Sequence, residues 1–143
     1  MGAVASQKEQ GVSQHGRLRV VLVVEDDWAV RNLIGLELRS AGWDVLQAST
    51  AEGAIACLEA GHRIDVVFTV TQLPSQLSGW DVAELFRAVR PDVPIIYASS
   101  NSVNRSRAVA GSLFFEKPYR PADLVEACRR LVQRKHMMRL ASA

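Results

Sequence analysis

The sequence predicts an α/β domain built on an open, doubly wound parallel sheet. Short apolar stretches rich in β-branched residues alternate along the chain with segments whose apolar residues recur at helical spacing. Such alternation implies right-handed crossovers, with helices on both faces of the sheet. The 143 residues suffice for one domain, which would bury roughly two-thirds of the surface that its unfolded chain exposes. A functional crevice is expected at the carboxyl ends of the strands.

Composition and charge exclude several other classes of protein. Hydrophobic residues make up 48% of the chain and charged residues 22%, which is typical of a folded domain and not of a disordered or fibrous chain. The apolar runs are too short for a bilayer-spanning helix, and no secretory signal is predicted. The formal net charge of +2 is too small to indicate a nucleic-acid-binding protein. Cys57 and Cys128, far apart in the sequence, are predicted to be reduced thiols.

Five strands are predicted from the apolar runs. Three of them are nearly continuously apolar and lie at residues 18–24, 64–70 and 93–98. Two weaker candidates lie at residues 43–48 and 112–115. Because the strong runs are apolar on both faces, we expect them to lie in a parallel sheet between two layers of helices.

The first two helices are predicted from apolar spacing and from end signals. Residues 27–40 place most of their apolar side chains on one face, and the Ala-Gly pair that follows stops the helix. Ser49 and Glu52 form a capping-box pattern at the start of the second helix, and Gly61 ends it.

Three more helices are predicted in the second half of the chain. Ser78 and Asp81 repeat the capping-box pattern before a helix that Pro91 closes. Residues 105–110 form a short, weakly apolar candidate, and Pro121 opens the last helix. A helix is thus predicted after every strand.

Composition divides the chain into three predicted parts. Residues 1–17 are polar and are predicted to form a flexible arm, residues 18–135 form the domain, and residues 136–143 form an extension or tail of the last helix. Because no room is left for an output domain after residue 135, the domain is expected to stand alone.

Basic charge is concentrated near the C-terminal end. No acidic residue follows Glu126, whereas the basic residues Arg129, Arg130, Arg134, Lys135 and Arg139 do. The favoured interpretation is a solvated helix end that complements the helix dipole, or a helix buried in a dimer. Direct contact with nucleic-acid phosphates is the alternative.

Charged and hydroxyl residues follow the predicted strands. The first strand runs into Glu25, Asp26 and Asp27, the fourth ends at Ser99, and the fifth runs into Lys117. Adjacent carboxylates repel each other unless a cation or a lysine neutralises them, so a divalent-cation site is one hypothesis. Capping of the first helix by an aspartate is the alternative.

Four motifs, taken together and in this order, resemble the receiver domain of two-component response regulators, of which the CheY-like chemotaxis regulator is the simplest example. They are VLVVEDDWAVR at the first strand, QLP followed by SGWD after the third, IIYAS at the fourth and FFEKPYRPADL near the end. The resemblance covers residues 18–135. It implies a flavodoxin-like (βα)5 sandwich with the strand order 2-1-3-4-5.

The resemblance also implies a metal site. Glu25 and Asp26 match the family's acidic pair that helps to hold Mg²⁺. Gln72 matches the residue whose backbone carbonyl joins them as a ligand.

Three further residues match the family's phosphoryl-site switch. Ser99 matches the hydroxyl residue that contacts the phosphoryl group, and Lys117 matches the lysine that pairs with it. Phe114 falls where the family has a rotating aromatic ring that couples the hydroxyl's movement to the output face.

The chain departs from the family at Val70, the position of the phosphoryl-accepting aspartate, four residues before Pro74. A valine side chain can neither accept a phosphoryl group nor give an oxygen to a metal. Phosphorylation at this position is therefore predicted to be lost, with Mg²⁺ binding weak or absent, and Lys117 left to pair with Glu25 or Asp26. An aspartate changed to valine in the laboratory is the alternative.

The neighbouring residues are poor substitutes for the missing aspartate. Asp65 lies at the opposite end of the strand, about 16 Å away at ordinary strand rise. Thr69 should point to the other face of the sheet, and Thr71 would form a stable ester and need a different kind of kinase. Phosphorylation of Glu25 or Asp26 is a further alternative.

The sequence thus predicts a degenerate cytoplasmic receiver that acts by binding a histidine kinase, a phosphotransfer protein or another receiver. In the family, partners and dimers use the surface of the fourth helix, fifth strand and fifth helix, here about residues 105–134. No glycine-rich phosphate-binding motif and no catalytic pairing of His with a carboxylate is present, so no enzymatic activity is predicted.

Overall fold

The computed structural model describes residues 18–100 and 104–142. Its strands are β1 (Val20–Val24), β2 (Asp44–Ala48), β3 (Val66–Val70), β4 (Ile95–Ser100) and β5 (Leu113–Lys117). They form one parallel sheet in the order β2-β1-β3-β4-β5. The predicted fold class and strand order are confirmed.

The described helices are α1 (Trp28–Ser40), α2 (Ala51–Glu59), α3 (Gly79–Val89) and α4 (Pro121–Ser142). The capping box predicted at the start of α3 is present. The amide of Asp81 donates to the Ser78 hydroxyl, and the amide of Ser78 donates to the Asp81 carboxylate at 2.7 Å. These two bonds satisfy amides that have no partner within the helix.

The cap predicted for the second helix is wrong by one residue. Thr50, not Ser49, has the extended backbone of an N-cap, and its hydroxyl accepts from the amide of Gly53 at 3.0 Å. Both residues carry a hydroxyl that can cap, and the conformation of the chain after β2 selects the second of them.

The helix predicted at residues 105–110 is also wrong. The described residues 104–112 form turns, and the amide of Val109 donates to the Tyr97 hydroxyl at 3.1 Å. An amide bonded to a side chain of β4 cannot also join a helical ladder, so this segment packs onto the sheet as a loop. The partner surface predicted at residues 105–134 therefore lacks its first helix, and dimer formation through it stays a prediction.

Two apolar cores lie on the two faces of the sheet. Along β3, Phe68 and Val70 pack beneath α1 and α4, whereas Val67 packs beneath α2 and α3. Parallel pairing brings the carboxyl ends of the strands to one edge, with Val70 of β3 aligned with Ala98 of β4. The residues that follow the strands are therefore close together at that edge.

The last helix α4 runs to Ser142, so most of the predicted extension or tail at 136–143 is helical. The arm predicted at 1–17 lies outside the described residues. None of the described helices has the length and apolar character needed to cross a membrane.

Candidate functional site

A cleft of about 370 Å³ lies at the carboxyl edge of the sheet, where the sequence predicts the functional crevice. The predicted site residues that line it are Asp26, Val70, Gln72, Ser99 and Lys117. The structure thus brings together residues at or just after the carboxyl ends of four different strands.

Glu25 lies behind this cleft and is only 1% exposed. One carboxylate oxygen, Oε2, accepts from the amide of Asp27 at 3.2 Å, and the other, Oε1, lies 3.5 Å from the ammonium of Lys117. Asp26, by contrast, is exposed and faces the cleft. The two members of the acidic pair are thus in different environments.

Burial raises the pKa of Glu25 above its ordinary value of 4.5, because a charged carboxylate is poorly solvated there. The Asp27 amide and the Lys117 charge oppose this rise, and the neighbouring Asp26 adds to it. Burial together with the Glu25 charge also raises the pKa of the Tyr119 hydroxyl, which has no hydrogen-bond partner among the described residues.

Part of the acidic run is a helix cap, as the alternative interpretation predicts. The Asp27 carboxylate accepts from the amide of Val30 at 3.1 Å and caps α1. The run therefore combines a cap with the two carboxylates near the cleft.

Val70 is 2% exposed and belongs to the core on the α1 and α4 side. Its carbonyl accepts from the Thr69 hydroxyl at 2.8 Å, and Gly79 at the start of α3 lies against it. A Cβ on Gly79 would lie 1.8 Å from the Val70 carbonyl oxygen, so only glycine allows this close approach. The sequence signal for this close approach is Gly79 in the SGWD motif, but the motif alone does not show that a backbone carbonyl lies against the glycine.

Ser99 is bonded inside the protein. The Thr71 hydroxyl donates to the Ser99 hydroxyl at 2.8 Å, and both side chains are buried. Sequence reasoning considered Thr71 only as a candidate for phosphorylation and missed this pair. It could have been found from strand alignment, because Thr71 follows β3 and Ser99 lies in the neighbouring β4.

Phe114 is not among the residues that line the cleft. It packs on the α3 face of the sheet, with its ring centroid 6.4 Å from those of Trp80 and Tyr97. The Arg105 guanidinium lies 3.9 Å above its ring. The structure therefore places Phe114 in an aromatic cluster beside the β4–β5 loop, away from the predicted site residues.

Among residues 18–100 and 104–142, no three His, Cys, Asp or Glu side chains are grouped closely enough to hold a metal ion. Among the described residues that line the cleft the acidic one is Asp26, with the buried Glu25 behind it and Asp27 used as the cap of α1.

The fold and the cleft define a class of protein: a doubly wound α/β domain with an acidic pair, a hydroxyl residue and a lysine around one crevice. The response regulator receiver domain family matches residues 21–129. The chain therefore belongs to the response regulator receiver domain family of two-component systems.

Individual relatives agree with this assignment. The transcriptional regulatory protein AruR of Pseudomonas aeruginosa is 33% identical over 120 residues, which cover 80% of this chain and 49% of AruR. The probable transcriptional regulatory protein TcrX of Mycobacterium tuberculosis is 28% identical over 123 residues, which cover 83% of this chain and 52% of TcrX. A crystal structure of a receiver protein from Sinorhizobium medicae matches with a TM-score of 0.78 at 29% identity, covering 82% of this chain and 96% of that one.

The chain spans about half the length of these two curated relatives. The prediction that the receiver stands alone therefore stays a prediction.

Proposed function

We propose that this chain is a degenerate receiver, which accepts no phosphoryl group at the usual position and acts by binding other proteins of a two-component pathway. The observation that carries the proposal is Val70 at the carboxyl end of β3. Its hydrocarbon side chain offers neither a nucleophile nor a metal ligand. The neighbouring Thr71 supports the proposal, because its hydroxyl is bonded to Ser99.

The residues at the cleft do not fit a Mg²⁺ site. Mg²⁺ requires oxygen ligands in near-octahedral geometry. Of the acidic pair, Asp26 lines the cleft, while Glu25 lies behind it and accepts from the Asp27 amide through Oε2. Its Oε1 accepts no hydrogen bond within the described residues, but the Lys117 ammonium already lies 3.5 Å from it, so only one carboxylate of the pair faces the cleft. We therefore propose that Mg²⁺ binding is weak or absent, and the proposal includes no reaction catalysed by this chain.

An exposed apolar surface on α1 supports a protein-binding role. Trp28 is 70% exposed, Leu36 62% and Leu33 49%, and several exposed large apolar side chains on one helix can mark a binding surface. Beside them, Leu33, Lys117 and Pro118 line a groove of about 400 Å³.

We propose that this α1 groove binds the helical, histidine-bearing domain of a histidine kinase or phosphotransfer protein. An apolar groove suits an amphipathic helix, which buries its apolar face there. Lys117 lines both the groove and the cleft, so a partner on the groove would also lie over the cleft. We also propose a cytoplasmic location, which is consistent with Cys57 and Cys128, both free thiols that a reducing compartment would keep reduced.

Intact-mass measurement after incubation with acetyl phosphate and Mg²⁺ tests the proposal. We expect no added mass on the unaltered chain and an acid-labile gain of about 80 Da on Val70→Asp, which restores the acceptor. An equal gain on both chains would show that another residue accepts the phosphoryl group and would overturn the proposal. The Val70→Asp result also shows whether the rest of the cleft can still support phosphorylation. That is the result expected if an aspartate was changed to valine in the laboratory.

Partner binding is measured in the same series with purified histidine-bearing kinase domains from the same genome. Leu33→Glu with Leu36→Glu should abolish capture of the partner. Leu85→Glu with Val89→Glu is the matched control, because these residues are also large, apolar and exposed but lie on α3. Equal loss in both pairs would contradict the α1 groove as the docking surface.

A further inference from the structure

A second concave surface lies at the opposite edge of the sheet from the cleft. It encloses about 570 Å³ between the C-terminal half of α4 and the starts of β4 and β5, where Pro94 and Gly111 line it. Its volume is in the ordinary range of small-molecule sites, about 300–1,000 Å³.

The charges around this surface are mostly positive. Its basic residues are Arg87, Arg134, Lys135 and Arg139, and its one acidic residue is Asp92. We call this surface the basic groove. Arg87 is already held in place, because its Nε donates to the carbonyl of Val93 at 2.7 Å.

The basic residues of the groove lack internal counter-charges. Within the part of the chain that the structure describes, none of the four forms an ion pair, whereas Arg129 and Arg130 on the same helix both pair with Glu126. Lys135 is half-buried, and burial followed by the charge of Arg139 lowers the pKa of its ammonium, while the charges of Asp92 and Asp65 partly oppose this fall. The groove therefore carries a net positive charge without a direct ion pair among the described residues.

A solvated helix end explains only part of this arrangement. The helix dipole favours Arg139, which lies in the last turn of α4. It gives no reason for Arg87 on α3, or for Arg134 and Lys135 further back along α4, to line the same concave surface.

The groove also has an apolar wall. Leu131 and Met138 of α4 line it together with Pro94. A thioether beside an apolar wall makes favourable contacts with flat aromatic rings. The groove thus offers two kinds of contact, positive charge and apolar surface, within one bounded space.

We propose that the basic groove binds a small phosphate-bearing molecule with an aromatic body, of the nucleotide class. Guanidinium groups bond phosphate oxygens in pairs, and the wall of Leu131, Met138 and Pro94 contacts the ring. Because the charges converge on a concave surface and do not form an extended stripe, the geometry favours a small molecule over a nucleic-acid duplex. The proposal is independent of the role of Val70.

Calorimetric titration of the full chain with ATP, GTP and UTP tests this site. We expect saturable binding of at least one of them, with adenosine and inorganic triphosphate each at least about tenfold weaker than the bound nucleotide. Arg134→Gln with Arg139→Gln should weaken binding at least about tenfold. Arg129→Gln with Arg130→Gln removes the same charge from exposed positions of the same helix and should change affinity less than about twofold.

Four results would each overturn the proposal. They are the absence of saturable nucleotide binding, equal losses in the two variant pairs, triphosphate binding as tightly as the nucleotides, and duplex DNA binding more tightly than they do with a steep dependence on salt. The last result would instead support contact with nucleic-acid phosphates. Because all four variant positions are exposed, each pair should keep the thermal unfolding transition of the parent chain.

Discussion

At the carboxyl edge of the sheet two pairs of polar side chains bond to each other, whereas the basic groove at the opposite edge, where the strands begin (the amino edge), has basic side chains with no ion pair among the described residues. Glu25 pairs with Lys117, and Thr71 with Ser99. Around the basic groove, Arg134, Lys135 and Arg139 form no ion pair within the described residues.

This difference bears on where a ligand is needed. Glu25 already has a cationic partner in Lys117, although its Oε1 accepts no hydrogen bond within the described residues, so an added cation would compete with Lys117 there. Clustered cations without counter-charges gain more from an incoming anion. We therefore expect the carboxyl edge to behave as a fixed structural unit and the amino edge as a site that responds to ligands.

The largest expected effect tests how tightly the carboxyl edge is closed. Gly79→Ala would place a Cβ 1.8 Å from the Val70 carbonyl oxygen, which is backbone and cannot turn aside. We expect the free energy of unfolding to fall by roughly 3 kcal/mol, measured by urea denaturation.

Gly53→Ala is the matched control. Its Cβ would lie 3.3 Å from the Thr50 hydroxyl and 3.4 Å from Ala48, and alanine favours the helix by about 0.5–1 kcal/mol. A Gly79→Ala protein as stable as the Gly53→Ala protein would show that α3 can move away from β3, and the carboxyl edge would not be a fixed unit.

The second-largest expected change in stability concerns the pair of buried hydroxyls, Thr71 and Ser99. Thr71→Val and Ser99→Ala each leave the other hydroxyl buried without its partner, so each should lower the free energy of unfolding by about 1–3 kcal/mol. The double variant should cost about 1 kcal/mol less than the sum of the two. Strict additivity in this double-mutant cycle, followed by thermal or urea unfolding, would mean that the two hydroxyls do not stabilise each other.

The strands could be predicted from the sequence because their apolar runs are long and buried on both faces. Even so, β4 begins at Ile95 and not at residue 93. Pro94 has no amide proton to give to a ladder, which accounts for the later start. The prediction of a helix at 105–110 is wrong because the amide of Val109 donates to the Tyr97 hydroxyl, a partner that local periodicity does not reveal.

The candidate site could be predicted in part for the same physical reason. Residues that follow parallel strands must meet at one edge, so Glu25 and Lys117 could be expected to pair, and they lie 3.5 Å apart. The close approach of Gly79 and the burial of Tyr119 depend on how α3 and the start of α4 pack, which strand patterns do not contain. The basic groove depends on α4 continuing to Ser142, where the sequence left a helical extension and a tail as alternatives.

The smallest effect tests the charge compensation itself, through the pH dependence of stability. Burial raises the pKa of Glu25, so the folded protein favours the protonated carboxyl. The stability contributed by this group is fully present below its ordinary pKa of 4.5 and is lost as the pH rises through the raised value in the folded protein. Each unit of that rise corresponds to about 1.4 kcal/mol.

Glu25→Gln has no carboxyl group to ionise at this position, so it does not lose stability in this way as the pH rises. Its melting temperature should therefore rise relative to that of the parent chain between about pH 4 and about pH 8. Lys117→Gln should have the opposite effect, because the Lys117 charge lowers the pKa of Glu25 and its removal raises that pKa further. Differential scanning calorimetry across this range measures both. If the melting curves of all three proteins shift in parallel with pH, Lys117 does not compensate the Glu25 charge, and the contrast between the two edges of the sheet fails.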